Sequence, residues 1–319
     1  MHAFAPPTAR GDGSPAAPLW LSDARCRAFE GSSASARHPV LRTYLSDMVR
    51  PYQVSLAEDL LAAGDGHSYG EMAGELLTAM LSAAPPIDLV VFAFSVHDVV
   101  PGRSTAAHLS QLCPGSPMAF AVCDQGTAAP FTGLRLLWEY TTAAGCEHAL
   151  LVVAEQAVLH YAPPAPAVVP GRHAAVALLC GPAGGGRLEP PLLHADVAPW
   201  QAGGLLAAQV AAAGQDGGEL TVVTGGGLAG HAAAIAELPG VGEVVSAQPE
   251  QPCTGVWWEL AERLPGWQAA GRRVLLADYE PGLHYLCLSA VDVPRAATAR
   301  CARTGVPTRS SPRPTAPAP

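Results

Sequence analysis

Short apolar runs alternate with helix-like stretches through the middle of this chain. Ile87-Asp-Leu-Val-Val-Phe-Ala-Phe94 is rich in β-branched and aromatic residues and short, the pattern of a buried strand. Ser104 to Leu112 has helical spacing, and Met118-Ala-Phe-Ala-Val122 reads as a second strand. Ala128 to Ala144 follows as a helix, stopped by Gly145. Ala149-Leu-Leu-Val-Val-Ala154 and Ala174-Ala-Val-Ala-Leu-Leu-Cys180 predict two more strands, and Leu192 to Val197, just after Pro190-Pro191, a fifth.

The order then recurs. Gln201 to Ala213 is helical, Leu220-Thr-Val-Val223 is a strand, and Leu228 to Leu238 is a helix stopped by Pro239-Gly240. Glu243-Val-Val-Ser246 is a short strand, Val256 to Leu264 a helix, and Arg273 to Ala277 and Tyr285 to Ala290 are closing strands. Each half runs strand, helix, strand, helix, strand, strand. Such alternation implies mostly parallel sheets covered by helices, and two similar halves suggest an internal duplication.

Composition narrows the function. Of 319 residues, 49% are hydrophobic and 14% charged, so a sizeable core is affordable. The net charge is -9 and no helix carries a basic stripe, which argues against nucleic-acid binding. All 18 basic residues are Arg, a bias of coding composition rather than of function. The Cys are singletons (Cys26, Cys113, Cys123, Cys146, Cys180, Cys253, Cys287 and Cys301) without a C-x-x-C pair, so no zinc site is expected. No apolar run reaches the ~18 residues of a membrane span, and a reducing cytoplasm is the expected setting. Residues 1–18 and 293–319 are rich in Pro, Ala and small polar residues and are expected to be disordered. One domain is expected over residues 19–292, with halves of about 19–198 and 199–292.

At this point Asp88 to Glu155 resembles ketoacyl-ACP synthase III, of the thiolase superfamily. The run Leu89 to His108 looks like that family's strand, proline-containing loop and small-residue helix. Ala149-Leu-Leu-Val-Val-Ala-Glu155 looks like the strand after its nucleophile helix. Arg273 to Val291 looks like its closing strand pair, with Gly282 in a glycine-rich turn. The likeness covers most of Ser68 to Val291; residues up to Gly66 match nothing recognisable. It implies a thiolase fold, duplicated halves in a layered α-β-α-β-α domain.

The resemblance also implies a site: a Cys at a helix N-terminus, where dipole and N–H groups favour thiolate and oxyanion, with a His and an Asn from the second half. Two alignments compete for the Cys. Counted back from Gly145, it falls on Ala128, within Ala128-Ala-Pro-Phe-Thr132, and Pro130 then lies in the first helical turn, where proline is tolerated. Alternatively, Cys123-Asp-Gln-Gly-Thr-Ala-Ala-Pro-Phe131 resembles the hydroxymethylglutaryl-CoA synthase run, making Cys123 the nucleophile, with Asp124 opposing its ionisation. The His position falls on Gly225, with His231 about two turns late. The Asn loop falls on Gln251-Pro-Cys253-Thr-Gly255, with Pro252 or Cys253 at the Asn itself; the chain has no Asn at all. Cys253 is a candidate acid/base, and His284 on the closing hairpin is a candidate facing the pocket. His97-Asp98, Glu155 and Gln156 stand at strand ends, where α/β sites gather. Gly225-Gly-Gly227 before a helix offers a weak phosphate cradle.

The readings that follow from the resemblance are two. One is a divergent acyltransferase or condensing enzyme using acyl-CoA or acyl-carrier protein as substrate, with Cys123, Cys253 and His284 as catalytic candidates, in polyketide- or fatty-acid-type specialised metabolism. The other is an inactive partner subunit of a condensing-enzyme dimer, homo- or heterodimeric. No bound cofactor and no metal are expected, and an acyl carrier protein is a candidate partner.

Overall fold

The structure, a computed structural model, describes residues 18–100, 102–163, 168–214 and 219–295. Nearly all of the two expected disordered ends lies outside the described residues; Val293 closes the last strand.

Eleven strands form the framework: β1 (Leu19–Phe29), β2 (Ile87–Ala93), β3 (Gly115–Val122), β4 (Ala149–Glu155), β5 (His173–Gly181), β6 (Gly186–Leu188), β7 (Leu192–His194), β8 (Leu220–Thr224), β9 (Val241–Ser246), β10 (Arg272–Glu280) and β11 (Tyr285–Val293). Their order is β3-β2-β4-β5-β1-β6-β11-β10-β8-β9, with β7 also on β11. The duplication is explicit in this order. In the first unit β2 runs parallel to β3 and β4, and β5 is antiparallel to β4 and β1. In the second, β8 runs parallel to β9 and β10, and β11 is antiparallel to β10, β6 and β7.

The α-helices are α1 (Leu41–Val49), α2 (Glu58–Ala63), α3 (Tyr69–Met80), α4 (Thr105–Leu112), α5 (Ala129–Ala143), α6 (Pro199–Ala213), α7 (Ala232–Ala236) and α8 (Gly255–Ala270). The central core joins α5 and α8 to one face of each half-sheet: Phe131 and Leu134, Trp257 and Leu260, Val91 and Val153, Val223 and Leu276 belong to one cluster. Phe131 and Trp257 meet edge-on with centroids 4.9 Å apart. α3 and α4 cover the outer face of the first half-sheet, α6 and α7 that of the second. This is the layered α-β-α-β-α arrangement.

The differences from the sequence reading have local causes. β1 was not expected, because its register shifts between Leu21 and Asp23 and breaks the alternation that marks a strand. The strand expected over Leu192 to Val197 is only the short β7, and an unexpected β6 lies on the other side of Pro190-Pro191, which have no N–H to give the ladder. β6 pairs with both β1 and β11 and so links the two units, while β7 pairs with β11. The helix expected over 228–238 is a 3-10 turn, Gly226–His231, and then the short α7. α8 continues to Ala270 through Pro265, on the exposed side of the helix.

Candidate functional site

The two central helices begin side by side. α5 has Ala128 as its N-cap and Pro130 in its first turn, so the helix starts well after Cys123. α8 has Thr254 as its N-cap. Between them sits Cys253, fully buried, its Sγ 2.6 Å from Ser95 Oγ and 3.2 Å from the Gly126 carbonyl.

Glu155, at the end of β4, is 1% exposed and faces the start of α8. It accepts from the Cys253 N–H, from Thr254 Oγ1 at 2.6 Å and from Gln251 Nε2 at 2.7 Å. Burial outweighs these donors and raises the carboxyl above its ordinary range. Burial, with the nearby Glu155 charge, pushes the Cys253 thiol well above its usual value. Cys253 is therefore a thiol at neutral pH, not a thiolate nucleophile.

Two further carboxylates come from β10. Asp278 and Glu280 are two residues apart on one strand and so share a face. Glu280 Oε2 accepts the Thr127 N–H at 2.9 Å, just ahead of α5, and Oε1 accepts the Gly282 N–H at 3.0 Å. Gly126, at φ 51°, makes room: a Cβ there would collide with the Glu280 carboxylate. Asp278 is 1% exposed and accepts from the N–H groups of Tyr279 and Gly227 at 2.8 and 3.2 Å. Burial dominates, with Glu280 and Glu155 adding to it, and the carboxyl is pushed up to about 8. It fills the space beside Gly225, where any Cβ would overlap it, and a Cβ on Gly227 would overlap the Tyr279 carbonyl. The three glycines therefore make room for the protein's own chain, and the phosphate-cradle expectation is not supported.

The positions assigned by resemblance are linked through shared neighbours. Cys253 meets Gly126, two residues ahead of Ala128, and β10 reaches both Thr127 through Glu280 and Gly225 through Asp278. The other candidates have these surroundings. Cys123 follows β3, half-buried, with its Sγ 3.4 Å from Asp124 Oδ2; burial first and then Asp124 raise its pKa. His284 is exposed in the β10–β11 turn, where its carbonyl accepts from the Val197 N–H. His231 packs on Gly203 of α6. His97 is exposed, while Asp98 holds the starts of two helices through Tyr69 N–H at 3.1 Å and Thr105 Oγ1 at 2.9 Å. Among the described residues no three His, Cys, Asp or Glu are grouped to hold a metal ion.

Asp278, Glu280 and Ser95 escaped the sequence reading. The available signal was Ala277-Asp-Tyr-Glu280, two acids at alternate positions at a strand's C-terminal end.

No family model and no curated protein matches the chain. Solved structures do. A tetronic acid condensing enzyme, AbyA1, superposes with a TM-score of 0.59 at 16% identity, covering 86% of this chain and 99% of that one. The 3-oxoacyl-(acyl carrier protein) synthase III FabH of Pseudomonas aeruginosa gives 0.59 at 17% identity, covering 88% and 99%. This chain has the thiolase fold of these structures. Xanthomonas campestris OleA with cerulenin matches it likewise, with a TM-score of 0.57 at 15% identity over 89% of this chain and 99% of that one. The thiolase-fold likeness extends to residues before Gly66, which no motif had linked to the family.

Proposed function

We propose that this thiolase-fold chain belongs to an acyl-thioester condensing system, of polyketide or fatty-acid type, and serves there as a non-catalytic partner of an active condensing enzyme. The observation that carries this reading is the Glu280 carboxylate on the Thr127 N–H. A thioester carbonyl reaching the start of α5 would meet a negative charge where catalysis of that kind needs free donors. Ala128 supplies no nucleophile, Gly225 no imidazole, and Cys253 is a buried, protonated thiol.

The partner reading also draws on β3. It is one of the two edges of the framework, and no charged side chain protects it from Met118 to Val122. Met118 and Phe120 are only partly buried. An uncharged edge strand is a template for pairing with a second condensing-enzyme chain, like or unlike. An acyl carrier protein as further partner and a cytoplasmic setting belong to the same proposal. No helix among the described residues is long and apolar enough to cross a membrane.

A second reading, a divergent acyltransferase using Cys123, draws on the partial exposure of that thiol at the C-terminal end of β3. One experiment separates the two. The purified chain is incubated with radiolabelled acyl-CoA and with acyl-carrier protein, alone and with an intact ketoacyl synthase III-like enzyme from the same source. The partner reading expects no covalent label on this chain, and a stable complex that changes the other enzyme's turnover. Covalent label that disappears in Cys123→Ala would overturn it in favour of the enzyme.

A further inference from the structure

On the outer face of the first half-sheet, away from the carboxylates, three histidines meet. They are His67 just ahead of α3, His160 in the segment after β4, and His173, the first residue of β5. His160 and His173 are 2% and 7% exposed. The rings of His67 and His173 stand edge to face, centroids 5.1 Å apart, and His67 also touches Phe29, which pairs with His173 across β1 and β5.

The hydrogen bonds set the tautomers. Nε2 of His67 is 3.1 Å from the Glu30 carbonyl, and Nε2 of His160 is 2.9 Å from the Asp65 carbonyl. A carbonyl only accepts, so both nitrogens carry a proton. His173 has the opposite role: its Nδ1 accepts the Ala157 N–H at 3.2 Å. Its neutral proton therefore sits on Nε2, and a second proton has only Nδ1 to occupy. There it would point at the Ala157 N–H, so His173 becomes an imidazolium only by breaking that bond.

The bond anchors one end of a stitched segment. The Ala57 N–H donates to the His160 carbonyl at 2.9 Å, the Ala162 N–H to the Ser55 carbonyl at 3.1 Å, and Leu56 and Tyr161 form an antiparallel bridge. Residues 157–162 thus hold the stretch at 55–57 that leads into α2. Farther along, the Arg172 N–H donates to Gln251 Oε1 at 3.0 Å, and Gln251 is one of the donors on Glu155.

We propose that His173 is an acid-sensitive fastener: on gaining a proton at Nδ1 it frees the Ala157 N–H and loosens residues 157–162 together with the 55–57 stretch stitched to them. This does not rest on the function proposed above. The groups facing the imidazole act in both directions. Burial, then the neighbouring His67, and more weakly His160, disfavour the charged form, while Asp65 favours it; the balance holds His173 down at about 4. On the adjoining β1, Arg27 lies over the Phe29 ring and is paired with Glu75 at 2.8 Å. A His with a depressed native pKa contributes stability above its ordinary value of 6.5, and the contribution is lost as pH falls from there towards 4.

The test is amide hydrogen exchange on the full chain at neutral pH and at about pH 5, corrected for intrinsic rates. The amides of Ala57, Ala157 and Ala162 are expected to exchange about 20-fold faster at the lower pH, while β4 amides keep their protection. His173→Gln offers an acceptor that does not titrate, and in it the acceleration should vanish. Equal protection of the wild type at both pH values, or the same acceleration in H173Q, would overturn the proposal. Should H173Q fail to fold, nitrogen NMR of the wild-type ring decides: Nδ1 must be unprotonated at neutral pH and titrate in step with the Ala157 amide. An Nδ1 already protonated at neutral pH would equally sink it.

Discussion

The two halves grip each other with the same device, used differently. Glu155 ends β4 and reaches the start of α8 in the second half; Glu280 ends β10 and reaches the start of α5 in the first. Repeat-related strands thus each present a carboxylate to the other half's central helix. The environments differ. Glu155 is sealed in, with a backbone N–H, a hydroxyl and an amide as donors. Glu280 is only half-buried and is held by two backbone N–H groups, one of them in its own turn. The first clasp is structural. The second sits at the helix start where the resemblance expects the nucleophile, and its carboxylate takes the Thr127 N–H there.

The sharpest way to break the comparison is Glu155→Ala. It orphans buried donors on Gln251, Cys253 and Thr254, and is expected to cost about 4 kcal/mol of unfolding free energy in urea titrations. Glu155→Gln should lose clearly less. A cost no greater than that of Glu280→Ala would erase the distinction between the clasps.

Next comes the pH dependence of Asp278, the buried acid beside the looser clasp. Its native pKa of about 8 lies above the ordinary 3.8, so the folded state prefers it protonated. Stability from this group is therefore greatest at low pH and falls as pH rises from about 4 towards 8. Relative to Asp278→Asn, the wild type should lose about 3 kcal/mol between pH 5 and 8, read from parallel denaturation curves. Parallel pH profiles for the two proteins would contradict the assignment.

Glu280→Ala is expected to cost only about 1 kcal/mol, because its donors gain access to water. Its larger consequence is local: the Thr127 amide should lose protection in hydrogen exchange while α8 keeps its own. The smallest effect belongs to Cys123→Ala, below about 0.5 kcal/mol, since the thiol is partly exposed and bonded only to its neighbour. A large loss there would place Cys123 in the core and reopen its role.

The outer helices carry the same lesson. α3 buries Tyr69, Met72, Leu76 and Leu77 and starts with a Ser68–Glu71 capping box. Its counterpart α6 has no charged residue, buries only Ala202, Leu206 and Val210, and leaves Trp200 84% exposed. Helical spacing predicts α6, while α3 is not among the helices that the sequence predicts. How deeply each is covered depends on segments distant in sequence.

Sequence alone determined the strand and helix alternation and the doubling, and by resemblance it set Ala128 or Cys123, Gly225, and Pro252 or Cys253 where Cys, His and Asn are expected. Apolar periodicity and chain-breaking residues act over a few neighbours, so a linear reading can recover them. It also favoured Ala128 over Cys123 as the helix start, through Pro130, and α5 begins there. Only the tertiary structure decided what fills the vacated positions. Glu155 meets Cys253 and Glu280 meets Thr127 across roughly a hundred residues or more of chain, and Asp278 occupies the room left by Gly225. Alternation in Ala277-Asp-Tyr-Glu280 puts both acids on one face. Which helix that face looks onto, and how far burial shifts each proton, follows from the packing of the two halves.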